Sequence, residues 1–379
     1  MKILILSSFA YPHLGGVSRH IEMLQKGLVD LGEGAEVIGI NNTGIYKVVF
    51  IPFFPLEKLS KKHAGKYIVA SKIKAMESYL NSQPKLLRDS DIIHVHDALS
   101  FGAAKRALQK AGISKPIVLT VHGFLANEMS SKYHFGAEER EEVERLEEDA
   151  YQKADYVVAV EKNRLKKVMG FREKDAEVMH NWIDSERFCP PVPKDKKTIS
   201  VLVPRRLVKK NGVRFALEAF VGLRKEFELV ISGDGPEKAA LETYAAEKGL
   251  GGRVKIIGNV SEEEIREIYR NSDVVIIPSI NYGGDIEGLS MSILEALSCG
   301  KPVIATEVGG NPEIIKTGFN GIVVPEQDAS AIREALLKMQ DKEFRKTLGK
   351  NAREDIAKNY SMDAGISKIK KVYESVLKK

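Results

Sequence analysis

Residues 199–213 read ISVLVPRRLVKKNGV: a short apolar-rich run, Ile199–Val203, and then a loop crowded with Arg205, Arg206, Lys209 and Lys210. An apolar run bounded by turn residues marks a buried strand, and in open α/β sheets ligands bind at the carboxyl ends of strands. The preceding stretch, RFCPPVPKDKKT at 187–198, is rich in proline and lysine and has no apolar period. It reads as a linker, so a second sheet begins at Ile199.

Working outward, the first half offers strands at Ile3–Leu6, Glu36–Ile40, Ile92–Val95, Ile117–Thr120 and Tyr156–Val160. The second half continues with Glu228–Ile231, Val254–Ile257, Val274–Ile277, Pro302–Ala305 and Gly321–Val323. Helical patterns lie between them, which predicts parallel sheets covered on both faces. The fold class is therefore α/β, with domains at 1–190 and 195–361 and a ligand cleft between them. The last segment, 362–379, spaces Ile366, Ile369, Val372, Tyr373 and Val376 as a packed helix does.

The 379 residues suit about two domains, and the formal charge of +6 is a mild excess. It fits anionic small ligands or a membrane surface, and no RNP-type, zinc-finger or dense basic motif argues for nucleic acid. Cys189 and Cys299 have neither metal spacing nor a disulfide framework, so a reducing cytoplasm is expected. No run of 18 apolar residues predicts a membrane span. The opening MKILILSSFAYP resembles a signal peptide only superficially and reads as a buried first strand.

Several loops after strands carry ligand-binding residue types. YPHLGGVSRH, 11–20, brings Gly15 and Gly16 just ahead of a helix, where backbone N–H groups and the helix dipole suit a phosphate; the plain reading is a βα turn. SGDGPE, 232–237, also follows a strand, as another nucleotide contact or simply a helix start, and ATEVGGNPEII, 305–315, again brings paired glycines, Gly309 and Gly310, ahead of a helix. The arginines and lysines of 205–210 suit a diphosphate, against a plain solvated loop. His122, in TVHGF, ends a strand and faces the expected cleft, which suits a functional role against that of a structural hydrogen-bond partner. HVHD places His94 and His96 on one strand face, but two imidazoles without a third make a weak metal site. DSD at 89–91 sits at the amino end of its strand and reads as a turn. The acidic run from Glu138 (Glu138, Glu139, Arg140, Glu141) reads as a solvated helix face.

EGLSMSILEALSCG, 287–300, reads as a helix over 290–299 ending at Gly300, with Glu295 set among apolar residues and Glu287 on the loop before it. Eight helical residues rise about 12 Å. Two carboxylates so spaced could accept hydroxyls at both ends of one elongated ligand, such as a nucleotide sugar. The alternative for Glu295 is a salt bridge to a lysine.

These pieces, taken in order with ADYVVAV, HNWIDSERFCP and IIGNVSEEEIREIYRNSDVVIIPS, resemble the retaining GT-B glycosyltransferases of family 4 across nearly the whole chain. The resemblance implies two facing Rossmann-like domains, the second holding the donor, with the last helix returning to the first. It implies a metal-independent site with no cofactor beyond a nucleoside diphosphate sugar. Glu287 would lie at the transferred sugar and Glu295 at the ribose. Arg206 and Lys210 would hold the diphosphate with the backbone of Gly15 and Gly16, and His122 would contact the donor sugar. Gly258, Asn259 and Val260 would border the base, and Gly309 and Gly310 would lie near the phosphates or sugar. Two departures stand out: Asn211 occupies the place of the family's R-x4-K lysine, leaving Lys209, Lys210 or Arg205 to supply that charge, and Trp182 replaces a glycine in NWID.

The implied activity is transfer of a hexose to a hydroxyl acceptor, with retention. A sugar-nucleotide epimerase and a non-catalytic nucleotide-sugar-binding protein are the competing readings. The acceptor would be a sugar, a polysaccharide or a lipid-linked molecule. Residues 56–76 mix Lys58, Lys61, Lys62, Lys66, Lys72 and Lys74 with Leu59, Tyr67, Ile68, Ile73 and Met76. Such a basic amphipathic segment suits an anionic membrane and peripheral attachment, against a solvated surface helix.

Overall fold

A computed structural model describes residues 1–13, 15–43, 64–133, 135–191, 198–283 and 288–379. The chain divides into two compact units, Met1–Asn181 with Met362–Lys379, and Trp182–Ser361. The change of unit comes before the proline-lysine stretch, not within it. Ile183 and Phe188 pack into the second unit's core against Tyr269, Val275 and Ile356, so that segment already belongs to the second unit.

In the first unit six parallel strands, β1 (Lys2–Ser7), β2 (Gly34–Gly39), β3 (Ile92–Val95), β4 (Ile117–Val121), β5 (Tyr156–Ala159) and β6 (Ala176–Val178), run in the order β2-β1-β3-β4-β5-β6. β1 pairs Ile5 with Val37 on one side and with His94 on the other. The near-continuous apolar strands are buried on both faces, as helix-covered parallel sheets require. β6 has no counterpart among the expected strands; it is three partly exposed residues at the sheet edge.

The second unit holds β7 (Ile199–Pro204), β8 (Phe227–Ser232), β9 (Val254–Gly258), β10 (Val274–Ile277), β11 (Val303–Thr306) and β12 (Gly321–Val324), ordered β12-β11-β10-β7-β8-β9. Each sheet therefore reverses its strand order once, between β1 and β3 and between β7 and β10. Such switch points leave a crevice at the carboxyl ends of the two strands.

The final helix, Met362–Leu377, belongs to the first unit. Ile366 occupies the space beside Gly27, where a Cβ would come within 2.4 Å of it. Lys370 meets Glu33 at 2.7 Å, and the Tyr373 hydroxyl meets His94 Nδ1 at 2.6 Å.

Two surface expectations change. Of the basic segment, residues 56–63, Lys58, Leu59, Lys61 and Lys62 among them, lie outside the described residues, and residues 64–76 begin the helix Ala64–Ser82. Its Ile68, Ile73 and Met76 are buried in the first unit's own core, so this apolar face is not offered to a membrane. Among the described residues no helix is long and apolar enough to cross one. The acidic helix Ala137–Lys153 does present most of its charges outward, but Glu147 turns inward. It accepts the Leu125 N–H at 2.7 Å and the Tyr151 hydroxyl at 3.0 Å, and burial raises its pKa. At 89–91 the expected turn is present: Asp91 accepts the Lys2 N–H at 2.7 Å.

Candidate active site

In the second unit the site is built on the β7–β10 switch point. The loop after β7 is fixed by backbone bonds to the glycine loop after β8: Arg205 N–H to the Ser232 carbonyl at 2.9 Å and Leu207 N–H to the Asp234 carbonyl at 2.9 Å. The fit excludes side chains. A Cβ on Gly235 would stand 2.3 Å from the Leu207 carbonyl, and one on Gly212, at φ 60°, would stand 1.9 Å from the Pro278 carbonyl. Lys210 accepts the Ile280 N–H through its carbonyl at 2.8 Å, tying the basic loop to the end of β10.

The two arginines diverge. Arg206 is exposed, whereas Arg205 is buried at 5% exposure. Arg205 donates to Ser290 Oγ at 2.7 Å, Asn211 Oδ1 at 2.6 Å and Ser279 Oγ at 3.2 Å. Burial lowers its pKa to about 10, so it remains a cation at neutral pH. Asn211, in the place of the family lysine, is itself buried; its amide also donates to the Arg206 carbonyl at 2.7 Å. Asn211 thus fixes the backbone from which Arg206 projects. Lys209 lies over the Tyr282 ring at 5.5 Å, and Lys210 is half-buried.

Ser290 begins the helix Met291–Ser298, which ends at Cys299 with Gly300 left-handed at φ 67°. Within it Glu295 is buried, and its Oε2 accepts the Tyr269 hydroxyl at 2.8 Å. Burial, with the neighbouring carboxylate, holds the Tyr269 pKa well above its ordinary value. Tyr269 is thus a partner of Glu295 that the sequence did not offer. Glu287 lies outside the described residues. Gly258, at φ 72°, closes β9, with Asn259 exposed and Val260 half-buried beyond it. Gly309 (φ 58°) and Gly310 precede the short helix Asn311–Ile314 after β11.

In the first unit Gly15, at φ 153°, caps the helix Gly16–Asp30. The Ser8 N–H after β1 donates to Asp97 Oδ2 at 2.7 Å, joining the ends of β1 and β3 at that sheet's switch point. Beside this joint four imidazoles gather. His94 is fully engaged, with Thr120 Oγ1 at 2.7 Å on Nε2 and Tyr373 on Nδ1. It stacks on His96 at 4.4 Å between centroids, as two residues on one strand face should. His96 Nδ1 meets His122 Nε2 at 2.9 Å. His20, from the first helix, stands edge-on to both.

His20, His96 and His122 bring ligand nitrogens within 4.8 Å of one another, so the close group takes only His96 from the HVHD pair, while His94 is held by Thr120 and Tyr373. Burial is the largest cause lowering all four pKa values: His20 falls to about 4, His94 to about 3, and His96 and His122 well below 6.5. The cluster is neutral at physiological pH. His96 and His122 also line a cavity of about 80 Å³ with Phe9, Asp97 and Glu128. His20, Tyr269 and the bonds of Arg205 to Ser290 and Ser279 escaped sequence reasoning, since each acts across a long sequence separation without a spacing signal.

Residues 14–187 match the family described as Glycosyltransferase Family 4, and residues 184–355 match Glycosyl transferases group 1. An uncharacterized glycosyltransferase of Methanocaldococcus jannaschii is 27% identical over 99% of this chain and 99% of its own length. Among solved structures, sucrose-phosphate synthase from Thermosynechococcus elongatus superposes with a TM-score of 0.76 at 19% identity, covering 100% of both chains. Anabaena HepE in complex with UDP-glucose gives a TM-score of 0.72 at 18% identity, over 99% of this chain and 100% of its own. With its two six-stranded parallel sheets of GT-B type, the chain belongs to the group 1 glycosyltransferases.

Proposed function

We propose that this glycosyltransferase moves a hexose from a nucleoside diphosphate sugar to a hydroxyl acceptor, with retention at the anomeric carbon and without a metal or further cofactor. The observation that carries the reading is exposed Arg206 on a rigid loop at the β7–β10 switch point, with buried Glu295 on the helix that Ser290 opens. The binding of UDP-glucose by HepE supports a donor of this class.

Breaking the glycosyl–phosphate bond gathers negative charge on the departing diphosphate. Arg206, Lys210 and the N–H groups of Gly15 and Gly16 meet that charge, and donors fixed in advance stabilise the transition state more than the ground state. Glu295 accepts ribose hydroxyls, Glu287 contacts the hexose, and His122 donates to a hexose oxygen. Gly258, Asn259 and Val260 border the base, and Gly309 and Gly310 approach the phosphates or sugar. The departing phosphate takes the acceptor's proton on the face it leaves, which retains configuration.

A panel of nucleotide sugars, read by protection against thermal unfolding, identifies the donor. Release of nucleoside diphosphate that requires an acceptor and survives a metal chelator supports transfer. Interconversion of the sugar without acceptor would make the protein an epimerase, and binding without turnover on any acceptor would make it a sensor. Glu295→Ala should weaken donor binding about ten- to a hundredfold, from the loss of one or two hydrogen bonds to a charged group; wild-type affinity by calorimetry would remove the ribose role.

A further inference from the structure

We propose that His96 is a positioning residue: it donates its Nδ1–H to His122 Nε2 and thereby holds His122 as the Nδ1–H tautomer, a one-directional hydrogen-bond donor to substrate. This rests on the substrate role given to His122 above.

The two rings are 20° from coplanar, with centroids 5.2 Å apart and bridging nitrogens 2.9 Å apart. That separation is about the bridge plus the two half-widths of the rings. The nitrogens therefore lie near the line joining the ring centres, and the N–H···N bond is close to linear, its strongest geometry. One proton sits in it. Its direction is set by the other ends of the rings. His96 Nε2 is buried and has no hydrogen-bond partner among the described residues. If His122 were the donor, neutral His96 would carry its proton on that atom, as an orphaned buried N–H. The opposite direction leaves only an unfilled lone pair, the more tolerated defect. His96 is then the donor, His122 Nε2 the acceptor, and the His122 proton resides on Nδ1.

His94 serves as an internal contrast. It lies two residues away on the same face, yet both its nitrogens are taken by Thr120 and Tyr373. The His96 ring has its one described hydrogen-bond partner in His122, and both residues line the same cavity. A head-on bond at 2.9 Å also leaves no room for an ion between these nitrogens, since zinc at about 2.0–2.1 Å from each would hold them about 3.3 Å apart at a tetrahedral angle.

The test is long-range proton–nitrogen correlation on histidine-labelled full-length protein at neutral pH, which reads the tautomer without reference to turnover. Wild type should show His122 protonated at Nδ1 and bare at Nε2. His96→Leu should release His122 to the Nε2–H form and lower turnover about ten- to a hundredfold with donor KM little changed. His96→Asn, whose amide can donate from the Nδ1 position, should restore much of both. His122 protonated at Nε2 in wild type would overturn the proposal. So would an unchanged tautomer in His96→Leu, or a tetrahedral absorption band on adding cobalt(II) at micromolar level, which would make the trio a metal site. If the tautomer is as stated but no nucleotide sugar is turned over, the proposed reaction fails while the positioning bond stands.

Discussion

The imidazole cluster of the first unit and the guanidinium knot of the second occupy equivalent places, each beside the switch point of a six-stranded parallel sheet. Burial acts on them differently. Imidazoles titrate near neutrality, so desolvation turns them into neutral groups that bond to one another. Arg205 keeps its charge even at a pKa of about 10, so the fold must surround it with oriented dipoles, here Ser290, Ser279 and Asn211. One unit therefore has a pH-sensitive centre, and the other a permanent charge that organises three loops.

The largest expected effect tests that contrast directly. In the unfolded chain the four imidazoles protonate near 6.5, whereas the folded His20 and His94 resist to about 4 and 3. Folded values below unfolded ones mean that this stability is fully present above pH 6.5 and drains as pH falls toward 4. The slope is about 1.4 kcal/mol per pH unit for each imidazole that only the unfolded chain protonates. Hydrogen exchange at β3 and β4 should accelerate steeply between pH 7 and 5, after correction for intrinsic rates, while β7 and β8 hold. Parallel behaviour of the two sheets would break the comparison.

Next comes the arginine pair. Arg205→Leu strands three buried polar partners and should destabilise the second unit by about 3 kcal/mol. Arg206→Ala should leave the unfolding free energy within about 0.5 kcal/mol of wild type and lower turnover about a hundred- to a thousandfold. Urea melts beside rate assays separate the two. Equal melts would mean that Arg205 is not the organiser, and wild-type turnover in Arg206→Ala would sink the transfer reading.

Tyr269→Phe is smaller. It removes one donor from a buried carboxylate and should cost about 1.5–3 kcal/mol, the range for hydrogen bonds to charged groups. The loss should fall in the second unit alone, visible as faster exchange at the helix Met291–Ser298. Because Tyr269 meets Glu295 from 26 positions away, this bond shows why the site was only partly legible in the sequence. The parallel strands were readable because two-sided burial makes each a local apolar run; β6 was not, because AEV at a sheet edge carries none. The basic loop and the glycine turns were legible because each follows the carboxyl end of an apolar strand, and the helix at Glu295 because of its own apolar run closed by Gly300. The contacts of Arg205, Glu295 and His96 depended on partners from other elements, and no periodicity encodes those.

The smallest effect concerns the other end of the imidazole stack. The Tyr373 hydroxyl is the only described contact through which the C-terminal helix reaches the β3 imidazoles by hydrogen bond, at 2.6 Å to His94 Nδ1. Removing it in Tyr373→Phe keeps the ring and its packing and should cost about 1 kcal/mol, the net value of a neutral hydrogen bond whose lost partner leaves a buried nitrogen unfilled. His94 retains Thr120 on Nε2, so its ring should stay stacked on His96, and the His96–His122 bond should persist. The His122 tautomer read by proton–nitrogen correlation should therefore be that of wild type, although the helix is held less tightly. A tautomer change in Tyr373→Phe would mean that the four imidazoles respond as one network anchored by the C-terminal helix. Its absence would confine the functional bond to His96 and His122 and leave His94 as the structural joint between helix and sheet.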